Sequence, residues 1–171
     1  VAQTVPAIDW QKSYGGSATE VKEGGKEPGP TTVQYTTDGG YILVGTSNSN
    51  DGDVSGNKGQ RDIWVVKVSG SGALQWQKSL GGSQDDRGYS VKQTSDGGYI
   101  IAGTTRSNDG DVTGYKNWED YWVVKLDSNG VIQWQKTYGG SKDDEARSII
   151  QTTDGGYIVA GFSNSTDGDV T

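Results

Sequence analysis

Short stretches in which apolar and polar residues alternate recur along this chain. In its middle part they cover residues 90–94, 99–103, 121–126 and 131–136. Within 121–126, Trp122, Val124 and Leu126 fall on one face of an extended strand, because side chains alternate with a period of two. Glycine-containing turns follow the first and third stretches. The pattern predicts four strands arranged as two hairpins, which a long polar loop connects.

The same pattern occurs three times at a period of 58 residues. Asp38, Asp96 and Asp154 each begin the motif D-G-G-Y-I, and the spacing between them is 58 residues. Such self-similarity indicates a repeat architecture. We therefore expect a single repeat domain over residues 1–171, with units at about 10–75, 76–133 and 134–171, the last one incomplete. The first unit is longer than the others because of an excursion around residues 23–30.

The strand content predicts an all-β protein of tandem four-stranded antiparallel blades, arranged in the manner of a propeller. Three such units are also compatible with a threefold β-trefoil or a β-prism. About four blades are the minimum for a closed propeller ring. We therefore expect self-association through unpaired edges, or completion by further blades.

A polar loop in each unit has the spacing of a calcium-binding loop. In the template D-x-[DN]-x-[DN]-G-x5-E, ligands come from positions 1, 3, 5 and 12, and glycine at position 6 allows a sharp turn. Gly56 and Gly114 occupy position 6 in the first two copies. The predicted calcium ligands are Asp51, Asp53, Ser55 and Asp62, then Asp109, Asp111, Thr113 and Asp120, and finally Asp167 and Asp169 in the incomplete third copy.

Composition narrows the possible functions. The 171 residues include 28 Gly and 3 Pro, but no Cys, His or Met, so disulfides and histidine-based catalysis are excluded. The net charge of −7 disfavours a nucleic-acid partner and suits cation binding. No apolar run approaches the roughly 18 residues of a membrane helix, so we expect no membrane insertion.

Other recurring residues have structural explanations. The turn Thr94-x-Asp96-x-Gly98 resembles the Asp-box of sialidase-type propellers, a folding element. Trp10, Trp76 and Trp134 are expected in the core between sheets. The acidic pairs beginning at Asp85 and Asp143 are expected in polar turns. Trp118 and Tyr115 have no aromatic counterpart in the first copy, and a glycan that stacks on them is a possible partner.

The motifs W-Q-K-[ST]-x-G-G-S, T-x-D-G-G-Y-I, N-D-G-D-V-[ST]-G and W-V-V-K-[LV] together resemble the secreted bacterial β-propeller repeat proteins. The resemblance extends from Trp10 to the end of the chain and implies an extracellular or cell-surface location, but no activity. We expect a non-enzymatic protein with calcium-stabilised loops that serves as a scaffold, adhesion or self-assembly module. The alternatives are a carbohydrate-binding module or a fragment of a polysaccharide-acting propeller enzyme.

Overall fold

A computed structural model describes residues 8–18 and 32–170, and the described residues form ten strands. Sheet 1 contains β1 (Thr32–Tyr35), β2 (Tyr41–Ser47), β3 (Asp62–Val68) and β4 (Leu74–Leu80). Sheet 2 contains β5 (Asp86–Gln93), β6 (Tyr99–Thr105), β7 (Asp120–Leu126) and β8 (Ile132–Tyr138). Sheet 3 is the hairpin of β9 (Asp144–Gln151) and β10 (Tyr157–Ser163).

Each four-stranded sheet is an antiparallel meander, because strands that are adjacent in sequence pair with each other. The strand predictions are confirmed, although β5 begins at Asp86, four residues before the predicted start. Its ladder with β6 shifts register between Gly88 and Ser90, and this bulge interrupts the simple alternation that sequence patterns reveal. Asp86 and Asp144, expected in polar turns, are instead the buried first residues of β5 and β9.

The three sheets pack face to face in chain order. Between sheets 1 and 2 lies the larger core, in which Trp122, Val124 and Leu126 share one buried face as predicted. This core also contains Ile42, Val44, Ile63, Val65, Leu80, Val91, Tyr99, Ile101 and Val112. Between sheets 2 and 3 lies a smaller core of Ile100, Ala102, Val123, Ala146 and Ile149. Burial of these apolar side chains stabilises the stack.

Trp10, Trp76 and Trp134 make contacts between sheets, but the expectation that they are core residues is only partly correct. Each packs edge-on against a tyrosine of the sheet that follows it; for Trp76 and Tyr99 the ring centroids lie 5.7 Å apart. Trp10 and Trp134 are each 40% exposed. Trp76 lies in β4 and Trp134 in β8, the outer strands of sheets 1 and 2, so their rings cover the rim of the core beside each sheet.

The Thr-x-Asp-x-Gly turns are stabilised internally, as expected for a folding element. Asp96 Oδ1 accepts hydrogen bonds from the Thr94 hydroxyl and from Gly98 N. It also pairs with the buried ammonium of Lys125, 2.9 Å from Asp96 Oδ2. The same arrangement joins Lys67 to Asp38 in sheet 1. A buried lysine therefore connects the third strand of each complete sheet to the turn before its second strand.

The all-β prediction is confirmed, with two four-stranded antiparallel sheets and a hairpin. Sheets 1 to 3 do not close into a ring within residues 8–18 and 32–170. The predicted excursion at 23–30 lies outside the described residues. No helix in the described ranges is long and apolar enough to cross a membrane.

Candidate functional site

Each predicted calcium loop folds onto the G-G-S turn that precedes its sheet. Gly81 to Ser83 connect sheets 1 and 2, and the loop between β6 and β7 lies against them. Asp109 Oδ1 accepts a hydrogen bond from Ser83 N at 2.7 Å, and Asp111 Oδ2 accepts one from Gly81 N at 3.1 Å. Position 2 of the loop must be glycine, because Gly110 has φ 63° and a Cβ there would lie 2.4 Å from the carbonyl oxygen of Gly81.

The first and third loops make the same contacts. Asp51 and Asp53 accept hydrogen bonds from Ser17 N and Gly15 N. Asp167 and Asp169 accept them from Ser141 N and Gly139 N. Because the bonds recur in all three copies, these four carboxylates, with Asp109 and Asp111, satisfy backbone donors at the entrance to each sheet.

The remaining predicted ligands also have protein partners. Ser55 and Thr113 accept hydrogen bonds from the side-chain amides of Gln77 and Gln135. Asp62 and Asp120, at position 12, are buried and accept hydrogen bonds from Lys58 N and Lys116 N.

Lysine side chains occupy the space beside the loops of the following sheet. Lys58 Nζ lies 2.9 Å from Asp111 Oδ2, and it also donates to Ser79 O. Lys116 Nζ pairs in the same way with Asp169. In the described ranges, no three acidic side chains are grouped so that they could hold a metal ion. Calcium binding by these loops stays a prediction from their spacing.

The acidic residues that do meet are Asp62 and Asp86. A Cβ added to Gly81 would lie 2.7 Å from Asp62 Oδ1 and 2.6 Å from Asp86 Oδ2, so both carboxyls press against this glycine. One unit later, Asp120 and Asp144 surround Gly139 in the same way. We call these arrangements the first junction, between sheets 1 and 2, and the second junction, between sheets 2 and 3.

The two members of the first pair differ in their hydrogen bonds. Asp86 accepts bonds from Gly82 N and from the hydroxyls of Thr105 and Ser107. Asp62 Oδ1 is buried and has no hydrogen-bond partner. Burial raises the pKa of Asp62 to about 6, and the negative charges of Asp86 and Asp111 add to the effect. Burial also raises the pKa of Asp86, although the hydrogen bonds from Thr105, Gly82 and Ser107 oppose that rise.

The second pair has the same geometry in a more open environment. Asp120 Oδ1 is again buried without a hydrogen-bond partner, and burial raises the pKa of Asp120. At Asp144, burial acts to raise the pKa, but hydrogen bonds from Ser163 and Ser165 outweigh it and hold the pKa below its usual range. The hairpin of sheet 3 has no further sheet over it among the described residues, which explains the weaker desolvation.

Charged side chains at the rim distinguish the two junctions. At the first, Asp85 lies between two arginines: Arg61 Nε is 3.7 Å from Asp85 Oδ1 and Arg87 Nη2 is 3.2 Å from Asp85 Oδ2. One unit later, Glu119 and Glu145 stand at the positions of Arg61 and Arg87, while Asp143 matches Asp85. The second junction therefore has three carboxylates where the first has one carboxylate between two guanidinium groups.

Two of the three carboxylates at the second junction are neutralised by other residues. Glu119 pairs with Arg106 at 2.6 Å and with Arg87 at 3.3 Å. Glu145 pairs with Arg147, whose guanidinium lies 4.2 Å from the centroid of the Tyr89 ring. Asp143 Oδ1 is buried and has no hydrogen-bond partner.

A surface cavity of about 490 Å³ adjoins Asp143 and is lined by Trp118, Lys142, Asp143 and Asn164. The Trp118 side chain is 66% exposed. Its backbone has φ 60°, the one positive value among the described non-glycine residues. The Tyr115 hydroxyl donates to Trp118 O at 2.9 Å, which fixes this part of the loop. The exposed ring of Trp118, whose backbone is strained, therefore lies beside Asp143, which has one oxygen without a hydrogen bond.

Sequence reasoning identified Trp118 but missed the exchange of charge beside it. Aligning the three units would have revealed that Glu119 stands at the position of Arg61 and Glu145 at that of Arg87. The buried Lys67 and Lys125 were also missed, since a lysine in an apolar strand has no distinguishing pattern until its partner is known.

No family model matches the chain. It is similar to regulatory protein FlaEY of Caulobacter vibrioides, with 32% identity over 141 residues. The match covers 73% of this chain but only 14% of FlaEY. The chain therefore matches only a small part of the length of this relative.

Proposed function

We propose that this chain is a non-catalytic β-repeat module, propeller-like in the stacking of its blades, which acts outside the cell or at its surface as a scaffold, adhesion or self-assembly element. The observation that carries the proposal is the open face of sheet 3. Ile158 is 56% exposed and Phe162 is 42% exposed, whereas their counterparts in sheet 2, Ile100 and Thr104, are 0% and 1% exposed. The counterparts are buried because sheet 3 packs on them.

The edge of sheet 3 supports the same conclusion. In sheet 2, β6 pairs with β7 along its whole length. Its counterpart β10 pairs with β9 alone among the described strands. An exposed strand edge beside an apolar face favours addition of another sheet, either from further repeats or from a second copy. The match to FlaEY, which spans only 14% of that protein, is consistent with completion by further repeats.

Self-association of the 171-residue chain tests this proposal. We expect light scattering to show a mass that grows with concentration, and Ile158→Lys to abolish that growth. Val131→Lys is a matched control, since Val131 is 55% exposed but lies in the turn before β8. A monomeric wild type at every concentration would contradict self-association, and an equal effect of both variants would contradict the role of this face.

Calcium requires a separate test, because the spacing of the loops predicts it while their carboxylates already accept backbone hydrogen bonds. Thermal unfolding is measured with EDTA and then with millimolar calcium. A rise in the midpoint that Asp111→Ala removes would support calcium-stabilised loops. An unchanged midpoint would leave these residues as acceptors for the G-G-S turns.

A carbohydrate-binding module is the second candidate, and the exposure of Trp118 favours it. Aromatic rings in an accessible cavity can stack on sugar rings. We expect Trp118→Ala to abolish glycan-array binding if this function holds, and retained binding would exclude Trp118 as its platform.

A further inference from the structure

We infer that the second junction binds the guanidinium group of an arginine side chain on another polypeptide, between Asp143 and Trp118. This inference is independent of the proposed self-association. It rests on a comparison of two copies of one site within the chain: the first copy holds its own guanidinium, and the second copy has lost it.

The backbones of the two copies make identical hydrogen bonds. Asp86 N donates to Arg61 O at 2.7 Å, and Asp144 N donates to Glu119 O at 2.7 Å. The carbonyl oxygens of Asp85 and Asp143 each accept a bond of 2.9 Å from the end of the neighbouring strand. Differences between the sites therefore come from side chains.

At the first junction the site is complete. Arg61 Nε lies 3.7 Å from Asp85 Oδ1. Beside it, the amides of Gln60 and Gln84 are hydrogen bonded at 3.1 Å and span the two sheets. The chain itself therefore supplies both the guanidinium that pairs with Asp85 and the amide pair beside it.

At the second junction both parts are replaced. Glu119 stands at the position of Arg61, so a carboxylate replaces the guanidinium there. It pairs with Arg106 and Arg87. Trp118 and Lys142 stand where Gln60 and Gln84 form their amide bond. The atom left without a hydrogen bond is Asp143 Oδ1, the counterpart of the oxygen that faces Arg61.

The cavity offers the chemistry that a guanidinium group requires. Asp143 is only partly buried and lines the cavity, so its carboxylate can accept the N–H groups of a guanidinium in strong charge-assisted bonds. The exposed face of Trp118 suits a planar cation, because tryptophan is the strongest cation–π acceptor among side chains. The side-chain oxygen of Asn164, which replaces Arg106 at the cavity wall, adds a further acceptor.

The probe is N-acetyl-arginine methylamide, titrated into the whole chain and followed by amide NMR shifts. N-acetyl-citrulline methylamide, nearly the same shape without the charge, is the ligand control. We expect weak binding, on the order of millimolar, that is at least ~10-fold tighter for arginine and decreases with added salt. Equal binding of the two compounds, or none by arginine, would overturn the inference.

Matched variants locate the site. Asp143→Asn is expected to weaken arginine binding about 10-fold or more, whereas Asp85→Asn leaves it unchanged because Asp85 faces the chain's own arginines. Trp118→Gln, which introduces the first-junction residue, is expected to cost about 3- to 10-fold. Unaltered binding by Asp143→Asn would overturn the assignment, as would a neutral sugar that binds through Trp118 while arginine does not.

Thermal unfolding provides a readout that is independent of any ligand. Asp143→Asn removes a partly buried charge whose Oδ1 has no hydrogen-bond partner, so its midpoint is expected to equal or exceed that of the wild type. Asp85→Asn breaks two ion pairs and is expected to lower the midpoint. The reverse order would show that Asp143 is already paired within the chain, and would contradict an open site.

Discussion

The two junctions have the same backbone hydrogen bonds and the same kind of buried acidic pair, but the side chains and sheets around them differ. At the first junction Asp85 lies between Arg61 and Arg87, and a four-stranded sheet packs on either side. At the second junction Asp143 keeps an unpaired oxygen, and one side is a two-stranded hairpin. The comparison teaches that the residues that connect the sheets recur from one unit to the next, while the charged residues at the rim differ.

The largest effect is expected from adding a methyl group where the acidic pair meets. In Gly81→Ala the new Cβ would contact Asp62 and Asp86, whose carboxyls are buried and cannot move away. We expect a loss of about 3 kcal/mol in the free energy of unfolding, measured by urea denaturation. Gly97→Ala is the control: nothing lies within 4 Å, and the cost of its φ of +81° is only about 1 kcal/mol.

The same substitution at the second junction sharpens the comparison. Gly139→Ala is equally crowded, with Asp120 Oδ1 at 2.5 Å and Asp144 Oδ2 at 2.7 Å from the new Cβ. Because only a hairpin packs beyond it, we expect local opening of β9 and β10 in hydrogen exchange, and a smaller loss of global stability. Equal global losses for the two variants would show that sheet 3 unfolds together with the rest.

The next effect concerns Arg87, which joins the two junctions. It pairs with Asp85 of the first and Glu119 of the second, and Glu119 is nearly buried. We expect Arg87→Ala to cost about 2 kcal/mol, since it leaves carboxylates short of a counter-charge. Arg147→Ala should cost at most about 1 kcal/mol, because its side chain is 46% exposed. Urea denaturation of both variants decides whether the bridging arginine matters more than the peripheral one.

Protonation of the acidic pair gives a third prediction. The pKa of Asp62 is raised to about 6 in the folded protein, so ionisation of Asp62 opposes folding. Its contribution to stability therefore falls as the pH rises from the ordinary value of 3.8 through about 6, by on the order of 2 kcal/mol. We expect Asp62→Asn to flatten this part of the profile and to be more stable than the wild type at pH 7.5. A wild type whose stability is constant between pH 4 and 7 would contradict it.

At lower pH, the stability of the fold is expected to change with pH in the opposite direction. Hydrogen bonds from Thr36 and Lys67 lower the pKa of Asp38 to about 2. The stability that this carboxylate contributes is present above its ordinary pKa of 3.8 and is lost as the pH falls towards 2. Asp62 and Asp38 together predict that the free energy of unfolding is largest in mildly acid solution.

The repeat, the strands and the turns could be predicted because each depends on residues close in sequence. The face shared by Trp122, Val124 and Leu126 follows from a period of two, and the Asp96 turn follows from its own hydrogen bonds. The role of Asp109 and Asp111 could not be separated from calcium binding, since the same carboxylates can accept backbone N–H groups. That choice depends on where Gly81 and Ser83 lie, which only the packing of the sheets determines.

The pairing of Asp62 with Asp86 was hidden for a similar reason. Position 12 of a calcium template and an acidic residue after a G-G-S turn have no sequence signal that connects them. Their contact arises because the turn at Gly81 brings the start of β5 beside the start of β3. The charge exchange at Asp143, by contrast, was available from the aligned units.

The smallest effect is expected from relieving the backbone strain at Trp118. A non-glycine residue at φ 60° costs roughly 1 kcal/mol relative to glycine, whose lack of Cβ removes the clash. Glycine also gains freedom in the unfolded chain, so Trp118→Gly should raise stability by only a few tenths of a kcal/mol. Gln60→Gly, at the first junction, should lower stability because it loses the bond to Gln84 and φ there is not positive. Opposite signs in thermal unfolding would show that Trp118 is held in this conformation at a cost to the fold, as expected of a side chain positioned for a ligand. Equal losses would show that its ring contributes to packing, and would remove strain as a distinction between the junctions.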